Sequence, residues 1–351
     1  MISLTVLMFF SCDQDHIFYK ISQEVKPTDP RIMGGPTAIV QLNGTLYCSS
    51  RMDMIVHIYE NGSWSTSSPG GKILELATDS VSLFALTGEP METTSLKKYD
   101  GSVWTEFAHG NFESIAGAGD GTDGLIFVAT KTTVDAYDAG GLKWTKSPGN
   151  LLMGAAYLNS IYYLAIAEKG VFTYDGTNFS PSAISILKED KEEPSGVVSV
   201  SEDKNTVGIL AVGNEVVAVT RGGEILRGDL NGFKVALSSG YYLTGGMGLW
   251  TDGSNKLLLI GLQGYSTSSG LGYREIVLEG DALQEKISLF KPGSHSPSTV
   301  SNEDKYDSTI GIHGVTDIAQ AQDGTLFAAT TKDGLWSYRH RDGADVWNAE
   351  E

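Results

Sequence analysis

The side chains that most often do chemistry are few in this sequence and stand far apart. Its six histidines lie at positions 16, 57, 109, 295, 313 and 340, and its two cysteines at positions 12 and 48. The motifs that bring such residues together, H-E-x-x-H, G-x-S-x-G, the P-loop and C-x-x-C, are all missing from the chain, and only residues from separate parts of the chain could assemble a metal site. The sequence therefore predicts no catalytic residue, no metal site and no cofactor.

The clearest chemical signal lies near the amino terminus. An apolar run from Ile2 to Phe10 ends at Ser11 and Cys12 and is followed at once by polar Asp13. The run is shorter than the roughly 20 apolar residues that a transmembrane helix needs, and it is typical of the core of a secretory signal peptide. The alternative is a buried amino-terminal strand with an incidental cysteine.

An apolar run followed by a small residue and Cys resembles the lipobox of bacterial lipoproteins. That resemblance implies that residues 1–11 are a signal peptide, removed by cleavage before Cys12, and that lipid is attached to the Cys12 thiol. Residues 12–36 then form a tether to the membrane, and the protein is located in the bacterial cell envelope, on its periplasmic or surface side. Bacterial lipoprotein processing provides two or three acyl chains, which anchor far more firmly than one.

The charge of the chain restricts its partners. With a formal net charge of −18 and a pI near 4.7, the protein repels the phosphates of nucleic acids and an anionic membrane surface. We therefore expect no nucleic-acid partner. Because net charge also favours solubility, we expect a monomer that meets the membrane only through lipid on Cys12.

Short strands and tight turns have to position any site in this chain. The 42 glycines and the frequent Asp-Gly and Asn-Gly pairs predict an all-β protein. Turns followed by an aromatic residue recur, and their glycines at 62, 101, 140 and 176 are spaced 39, 39 and 36 residues apart. Four-stranded blades of a β-propeller occupy that length.

Seven such units predict a seven-bladed β-propeller that spans residues 37–351. Two stretches interrupt the repeats and are predicted to be insertions, at 188–194 and 291–307, with a domain boundary as the alternative for the first. A flexible polar loop at 264–270 is predicted to widen the sixth unit. Ring closure in propellers usually combines strands from both ends of the chain, so Phe18–Ser22 is predicted to pair with the last blade, beside or in place of the strand around Trp347. The units are Thr37–Ser68, Lys72–Phe107, two that close at Tyr137–Trp144 and Phe172–Phe179, then Val207–Ser239, Thr244–Leu289 and Val315–Trp347.

The seventh unit resembles the two-component-regulator type of propeller repeat. The residues that carry this resemblance are Asp323-Gly324, Phe327, Thr330 and Gly334-Leu335-Trp336, and Gly170–Gly176 is a weaker second match. The resemblance implies the propeller fold and an association with extracytoplasmic sensing or scaffolding, and it brings no catalytic residues. The turns themselves have a structural explanation, because tight hairpins need positive φ.

Three residues are weak candidates for ligand binding. His313 precedes the innermost strand of the seventh unit, Trp250 ends the Gly246–Trp250 run, and Tyr265 lies in a polar loop. The alternative for His313 is a hydrogen-bonded histidine in a turn. The alternative for the Gly246–Trp250 run is that it only allows close backbone packing. The regular series Trp64, Trp104, Trp144 and Trp347 is predicted to pack between neighbouring blades, with carbohydrate stacking as the alternative.

Two functions from different classes remain. The first is a non-catalytic, lipid-anchored envelope propeller that binds a protein or a small ligand through loops on one face. The second is a propeller-fold glycan hydrolase or lyase whose carboxylates come from several blades.

Overall fold

The computed structural model contains strands and turns but no helix among the residues that it describes. These are residues 32, 35–50, 54–89, 92–185, 205–238, 242–252, 255–263, 270–279, 282–283, 291–292, 310, 313–331, 334–341 and 344–350. Within them, no helix is long and apolar enough to cross a membrane. The predicted all-β class is confirmed.

The first four sheets each contain four strands. Blade one contains β1 (Pro36–Leu42), β2 (Thr45–Ser50), β3 (Val56–Glu60) and β4 (Ser63–Ser67). Blade two contains β5 (Ile73–Thr78), β6 (Leu83–Thr87), β7 (Thr94–Tyr99) and β8 (Trp104–Gly110). Blade three contains β9 (Ser114–Gly119), β10 (Gly124–Ala129), β11 (Val134–Asp138) and β12 (Gly141–Lys146). Blade four contains β13 (Leu152–Leu158), β14 (Ile161–Ile166), β15 (Gly170–Tyr174) and β16 (Phe179–Pro181).

Two of the remaining three sheets carry an added short strand. Blade five contains β18 (Thr206–Val212), β19 (Glu215–Thr220), β20 (Glu224–Asp229) and β21 (Gly232–Ser238), and β17 (Ile184–Ser185) runs parallel to β21. Blade six contains β22 (Tyr242–Asp252), β23 (Asn255–Gln263), β24 (Gly270–Glu279) and β25 (Ala282–Leu283), and β26 (Lys291–Pro292) also pairs with β24. Blade seven contains β27 (Val315–Gln320), β28 (Leu326–Thr330), β29 (Leu335–Arg341) and β30 (Ala344–Ala349).

The blades form a closed ring. Within each blade the four main strands follow one another antiparallel, as hairpins that share a strand. The first strand of each blade contacts the first strand of the next, and β27 of blade seven contacts β1 of blade one. The fold is a seven-bladed β-propeller, as the repeat spacing predicts.

An apolar cluster fills each of the seven interfaces between neighbouring blades. The second strand of a blade serves two interfaces at once, because successive side chains point to opposite faces of a sheet. In β23, Leu258, Ile260 and Leu262 contact blade five, while Leu257 and Leu259 contact blade seven. This explains why the second strands are almost continuously apolar.

The interface between blades seven and one closes the ring with both apolar and polar contacts. The Phe327 ring lies 4.8 Å from the Tyr59 ring and 5.7 Å from the Trp64 ring, measured between centroids. The Tyr59 hydroxyl donates a hydrogen bond of 2.6 Å to Asp323 Oδ2, and Trp64 Nε1 donates one of 3.2 Å to Glu350 Oε2. The strand around Trp347 is the fourth strand of blade seven, so of the two predicted arrangements the structure excludes the one in which Phe18–Ser22 replaces it.

Several predicted features lie outside the described residues. They include Phe18–Ser22 and therefore its predicted pairing beside Trp347. They also include the predicted insertion at 188–194, residues 264–269 of the predicted polar loop, and most of the predicted insertion at 291–307. Within the last of these, Lys291–Pro292 forms the short strand β26 against Arg274 and Glu275 of β24.

Candidate functional site

Propeller topology separates two faces of the ring. The turns between the first and second strands, and between the third and fourth, lie on one face, which we call the hairpin face. The turns between the second and third strands and all connections between blades lie on the other, which we call the connector face. Each innermost strand therefore begins at the connector face and ends at the hairpin face.

A central cavity of about 920 Å³ lies toward the connector face. All seven innermost strands line it, mostly with residues from their first halves, and Gly35, Thr330 and Thr331 complete the wall. Ligand-binding cavities commonly have volumes of about 300–1,000 Å³ and combine an apolar wall with a few polar groups. The cavity has both properties and is the candidate site.

Asp317 on β27 is a half-buried carboxylate in the wall of this cavity. Its Oδ2 accepts a hydrogen bond of 2.8 Å from the backbone N–H of Ile39 in blade one, and its Oδ1 accepts one of 2.9 Å from the N–H of Ile318. Burial raises the pKa of this carboxyl to about 6, against the opposing effect of the two N–H donors. Asp317 thus joins the last blade to the first beside the cavity.

Glu75 on β5 makes the same kind of contact between blades two and three. Its Oε2 accepts a hydrogen bond of 3.0 Å from the backbone N–H of Ile115, and the residue also lines the cavity. Both carboxylates therefore bind a backbone donor on the innermost strand of the following blade. Such bonds satisfy N–H groups that the inner edge of a blade would otherwise expose.

A repeated irregularity in the innermost strands places these two carboxylates. The register between the first and second strands shifts near the connector face in six of the seven blades. A bulge of this kind turns a side chain away from the regular alternation. Glu75 and Asp317 directly follow the shift in blades two and seven, while Ala38, Gly154 and Gly208 hold this position in blades one, four and five.

The far side of the cavity is apolar. Blades four and five lie across the ring axis from blade one, and they contribute Met153, Val207 and Ile209 to the wall, while blade six contributes Met247. The Met153 side chain is 40% exposed, which is unusual for a large apolar residue in an inner strand. The cavity is therefore two-sided, with carboxylates on blades two and seven and thioethers and aliphatic groups opposite.

Glycines bring the innermost strands of blades six and seven close together. A Cβ atom at Gly246 would collide with the backbone carbonyl of Thr316, and one at Gly248 with that of Ile318. Gly246 and Met247 also line the cavity, and the glycines of this run allow the close backbone packing that was one of its two explanations.

The predicted ligand-binding residues do not converge. Trp250 is 5% exposed and packs between blades six and seven, with its ring 5.9 Å from that of Tyr338. His313 is half-buried on the connector face, with its ring 4.9 Å from that of Trp336, and it is not among the residues that line the cavity. Tyr265 and Cys12 lie outside the described residues. The ligand-binding roles of the first three and the lipidation of Cys12 stay predictions.

All four tryptophans of the regular series pack between blades, as predicted. Trp64, Trp104 and Trp347 contact the preceding blade. Trp144 contacts the following blade instead, with its ring 4.9 Å from that of Tyr174. A bulge in blade three pairs Trp144 with Ala136 rather than with the tyrosine, and a shift of one residue moves a side chain to the other face of the sheet.

Glu75 and Asp317 belong to no recognised motif, and sequence motifs therefore did not identify them. Their position within the strands is nevertheless visible in the sequence. Each is a lone carboxylate within an otherwise uncharged strand, in Ile73-Leu74-Glu75-Leu76 and Val315-Thr316-Asp317-Ile318. Charged residues at such positions are rarely buried unless they are hydrogen-bonded. In the part of the chain that the structure describes, no group of three or more His, Cys, Asp or Glu residues is arranged to hold a metal ion.

Similarity to known proteins is structural only. No family model matches the chain, and no curated protein sequence matches it. A streptogramin B lyase superposes with a TM-score of 0.56 at 12% sequence identity, over 86% of this chain and 92% of that one.

An extracellular domain and a component of a secretion system contain a similar propeller. The extracellular domain of a putative hybrid two-component system from B. thetaiotaomicron matches with a TM-score of 0.56 at 13% identity, over 90% of this chain and 40% of that one. PorZ, a surface component of the type-IX secretion system of Porphyromonas gingivalis, matches with a TM-score of 0.52 at 10% identity, over 92% of this chain and 39% of that one. At these identities the likeness establishes the fold alone.

Proposed function

We propose that this protein is a non-catalytic binding propeller of the bacterial cell envelope, anchored by lipid on Cys12, which takes a protein or a small ligand on its connector face. The observation that carries the binding role is the two-sided cavity of about 920 Å³ on that face. Glu75 and Asp317, the carboxylates among the residues that line the cavity, accept hydrogen bonds from backbone N–H groups of neighbouring blades and so stabilise the fold. The same fold occurs in a surface component of a secretion system and in the extracellular domain of a two-component system, so the fold is compatible with an envelope location.

The connector face is tested with two exposed apolar residues as a matched pair. Met54 is 59% exposed on the connector face, and Val103 is 57% exposed on the hairpin face. Substitution of either residue by Arg should leave the fold intact, since neither side chain is buried. We expect a partner that is enriched from envelope extract by the wild-type protein to be lost with Met54→Arg and retained with Val103→Arg. Loss with Val103→Arg alone would place binding on the hairpin face instead.

The lipid anchor is tested by metabolic labelling with a fatty acid in a bacterial host. We expect label on the wild-type protein and none on Cys12→Ser. Cys48→Ala is the control, because the Cys48 thiol is buried in β2 and should not affect labelling. Label that persists after Cys12→Ser would refute the anchor without bearing on the binding role.

One observation favours the enzymatic alternative, a glycan hydrolase or lyase. Glu75 and Asp317 line the same cavity, and a carboxyl group with a pKa of about 6 is suited to general acid–base catalysis near neutral pH. If this alternative holds, the protein should cleave isolated envelope polysaccharides, and both Glu75→Gln and Asp317→Asn should abolish the release of reducing or unsaturated ends. Cleavage that survives both substitutions would exclude these residues as its catalysts.

A further inference from the structure

The charged residues in the cavity wall all have the same sign. Among the described residues that line the cavity, Glu75 and Asp317 are the ionisable ones, and Lys, Arg and His are missing. The Asp317 carboxylate lies against blade one and the Glu75 carboxylate against blade three, so both lie on the half of the ring that is centred near blades one and two. In a narrow, partly desolvated space such a pair produces a negative potential that water screens poorly.

The hydrogen-bonding groups of this wall are also biased toward acceptors. The inner edge of each innermost strand presents N–H and C=O groups to the ring axis, because its other edge pairs with the second strand. Glu75 occupies the N–H of Ile115 and Asp317 that of Ile39. Two donors of the wall are thus taken up by acceptors that belong to the wall itself. A ligand here would find carboxylate and carbonyl oxygens more readily than N–H donors.

The opposite wall favours an apolar group. Met153, Val207, Ile209 and Met247 come from blades four to six, and none of them carries a polar side chain. The exposed thioether of Met153 makes this part of the cavity adaptable, because methionine side chains are flexible and polarisable. Exposed apolar surface inside a cavity is typical of ligand sites.

We propose that the cavity binds an amphiphilic organic cation, with its ammonium or amidinium group beside Glu75 and Asp317 and its apolar body against Met153, Val207 and Met247. This inference rests on the binding function proposed above and names the chemical class of a small ligand. An anion would meet two carboxylates, and an unsubstituted sugar would leave the apolar wall in contact with hydroxyl groups. Burial holds the pKa of Asp317 near 6, which indicates that its ionised form gains little compensation from neighbouring charge.

The charge preference is tested with two fluorescent probes that share one apolar body. Dansylcadaverine carries an ammonium group on a short alkyl chain, and dansyl-6-aminohexanoate carries a carboxylate on a chain of similar length. Dansyl emission rises in an apolar environment, so a titration reports on contact with the apolar wall. We expect the cationic probe to bind the full-length protein at least about tenfold more tightly than the anionic probe at low salt. Equal affinity, preference for the anion, or no binding of the cation would overturn the inference.

Two lysine substitutions at opposite ends of the channel provide a matched pair. Met153 in the cavity wall is 40% exposed, and Leu249 on β22, outside the cavity, is 44% exposed. Because both side chains are exposed, neither change should impair folding. We expect Met153→Lys to weaken binding of the cationic probe about tenfold or more and to raise the relative affinity for the anionic probe. Leu249→Lys should bind both probes as the wild type does, and an equal loss with both variants would show that the probe does not bind in the cavity.

Glu75→Gln separates the role of charge from that of shape. The amide keeps the size of the side chain and an oxygen that can accept the Ile115 N–H. We expect several-fold weaker binding of the cationic probe with an unchanged melting temperature. If the cationic probe does not bind, the proposed ligand class is rejected. If Val103→Arg nevertheless retains an envelope partner that Met54→Arg loses, the connector face remains the binding face.

Discussion

The two faces of the propeller differ in charge, and the difference separates turn chemistry from candidate function. The described turns of the hairpin face carry many carboxylates and neither Lys nor Arg, whereas the described loops of the connector face balance the two signs. The acidic residues of the described hairpin turns are Asp79, Asp100, Asp120, Asp123, Asp175 and Asp323. The connector loops carry Lys72, Lys131, Lys169 and Arg221 beside Glu89, Glu92, Glu113 and Glu168.

The acidity of the hairpin face follows from the geometry of tight turns. In four turns, one Asp oxygen accepts two backbone N–H bonds, at Asp79, Asp100, Asp120 and Asp175. Hydrogen bonds of this kind lower the pKa of the Asp100, Asp120 and Asp175 carboxyls below the usual range. A strongly negative face therefore needs no ligand to explain it. The carboxylates at the connector end of the channel do not close turns, and there the pKa of Asp317 moves in the opposite direction.

The largest effect should come from a glycine at the connector end of the channel. Gly245 has φ +93, and a Cβ atom there would collide with the carbonyl of Val207 in blade five. Gly62 in a hairpin turn has φ +78, with nothing within 4 Å of a Cβ atom. We expect Gly245→Ala to lower the free energy of unfolding by about 3 kcal/mol and Gly62→Ala by about 1 kcal/mol. Denaturant unfolding followed by tryptophan fluorescence measures both, and equal losses would contradict close packing at Gly245.

The next effect is a pH dependence of opposite sign at the two ends of the channel. Because the pKa of Asp317 is raised, the folded state binds its proton more tightly than the unfolded state does. The contribution of the Asp317 carboxyl to the free energy of unfolding is fully present below about pH 4 and is lost as the pH rises through about 6. Relative to Asp317→Asn, the wild type should lose up to about 2 kcal/mol between pH 4 and 7.5.

Carboxyl titration by NMR supplies the comparison within one sample. Asp317 should titrate near pH 6, while Asp100, Asp120 and Asp175 should titrate below the usual range for Asp. The contribution of those turn carboxylates to the free energy of unfolding is present above the ordinary pKa of Asp and is lost as the pH falls through their lowered pKa values. An Asp317 that titrates with the turn residues would remove the contrast between the two ends.

A smaller effect is expected for a turn carboxylate on the hairpin face. Asp79 is buried, and its Oδ1 accepts hydrogen bonds of 2.8 Å from Val81 N and 2.6 Å from Ser82 N. We expect Asp79→Ala to lower the free energy of unfolding by about 1.5 kcal/mol, since both donors lose their acceptor. Asp79→Asn keeps an oxygen at this position and should cost less, and a larger loss for Asn than for Ala would refute the turn role.

The smallest effect is expected for an ion pair on the connector face. Lys72 Nζ lies 3.0 Å from Glu89 Oε2, and the side chains are 35% and 55% exposed. Exposed pairs contribute little because water and salt screen them, so Glu89→Gln should change the free energy of unfolding by less than about 0.5 kcal/mol. A loss as large as that of Asp79→Ala would show that the charges of the connector face are structural after all.

The repeated turns and apolar strands made the fold predictable. The glycines at 62, 101 and 176 adopt positive φ, as hairpin turns require. The apolar run Lys256–Gly261 is typical of a strand covered on both faces, and Leu257 to Ile260 are buried between two neighbouring blades. Such local rules act within about 40 residues, so the sequence reveals them directly.

The cavity could not be predicted in the same way. Glu75 and Asp317 are 242 positions apart in the chain and become related only when blade seven packs against blade one. Even within one repeat, the direction in which Trp144 points depended on a bulge that the turn sequence did not reveal. Bulges and ring closure depend on the packing of neighbouring sheets, which is a property of the whole assembly.

The sequence by itself thus determined the class of fold, the number of blades and the packing of tryptophans between blades, because each depends on strand periodicity and turn chemistry. Only the tertiary structure decided which carboxylates line the central cavity, toward which face that cavity lies, and how the ring closes. The physical reason is that the innermost strands of seven blades share one axis, and the residues that surround that axis come from every part of the chain.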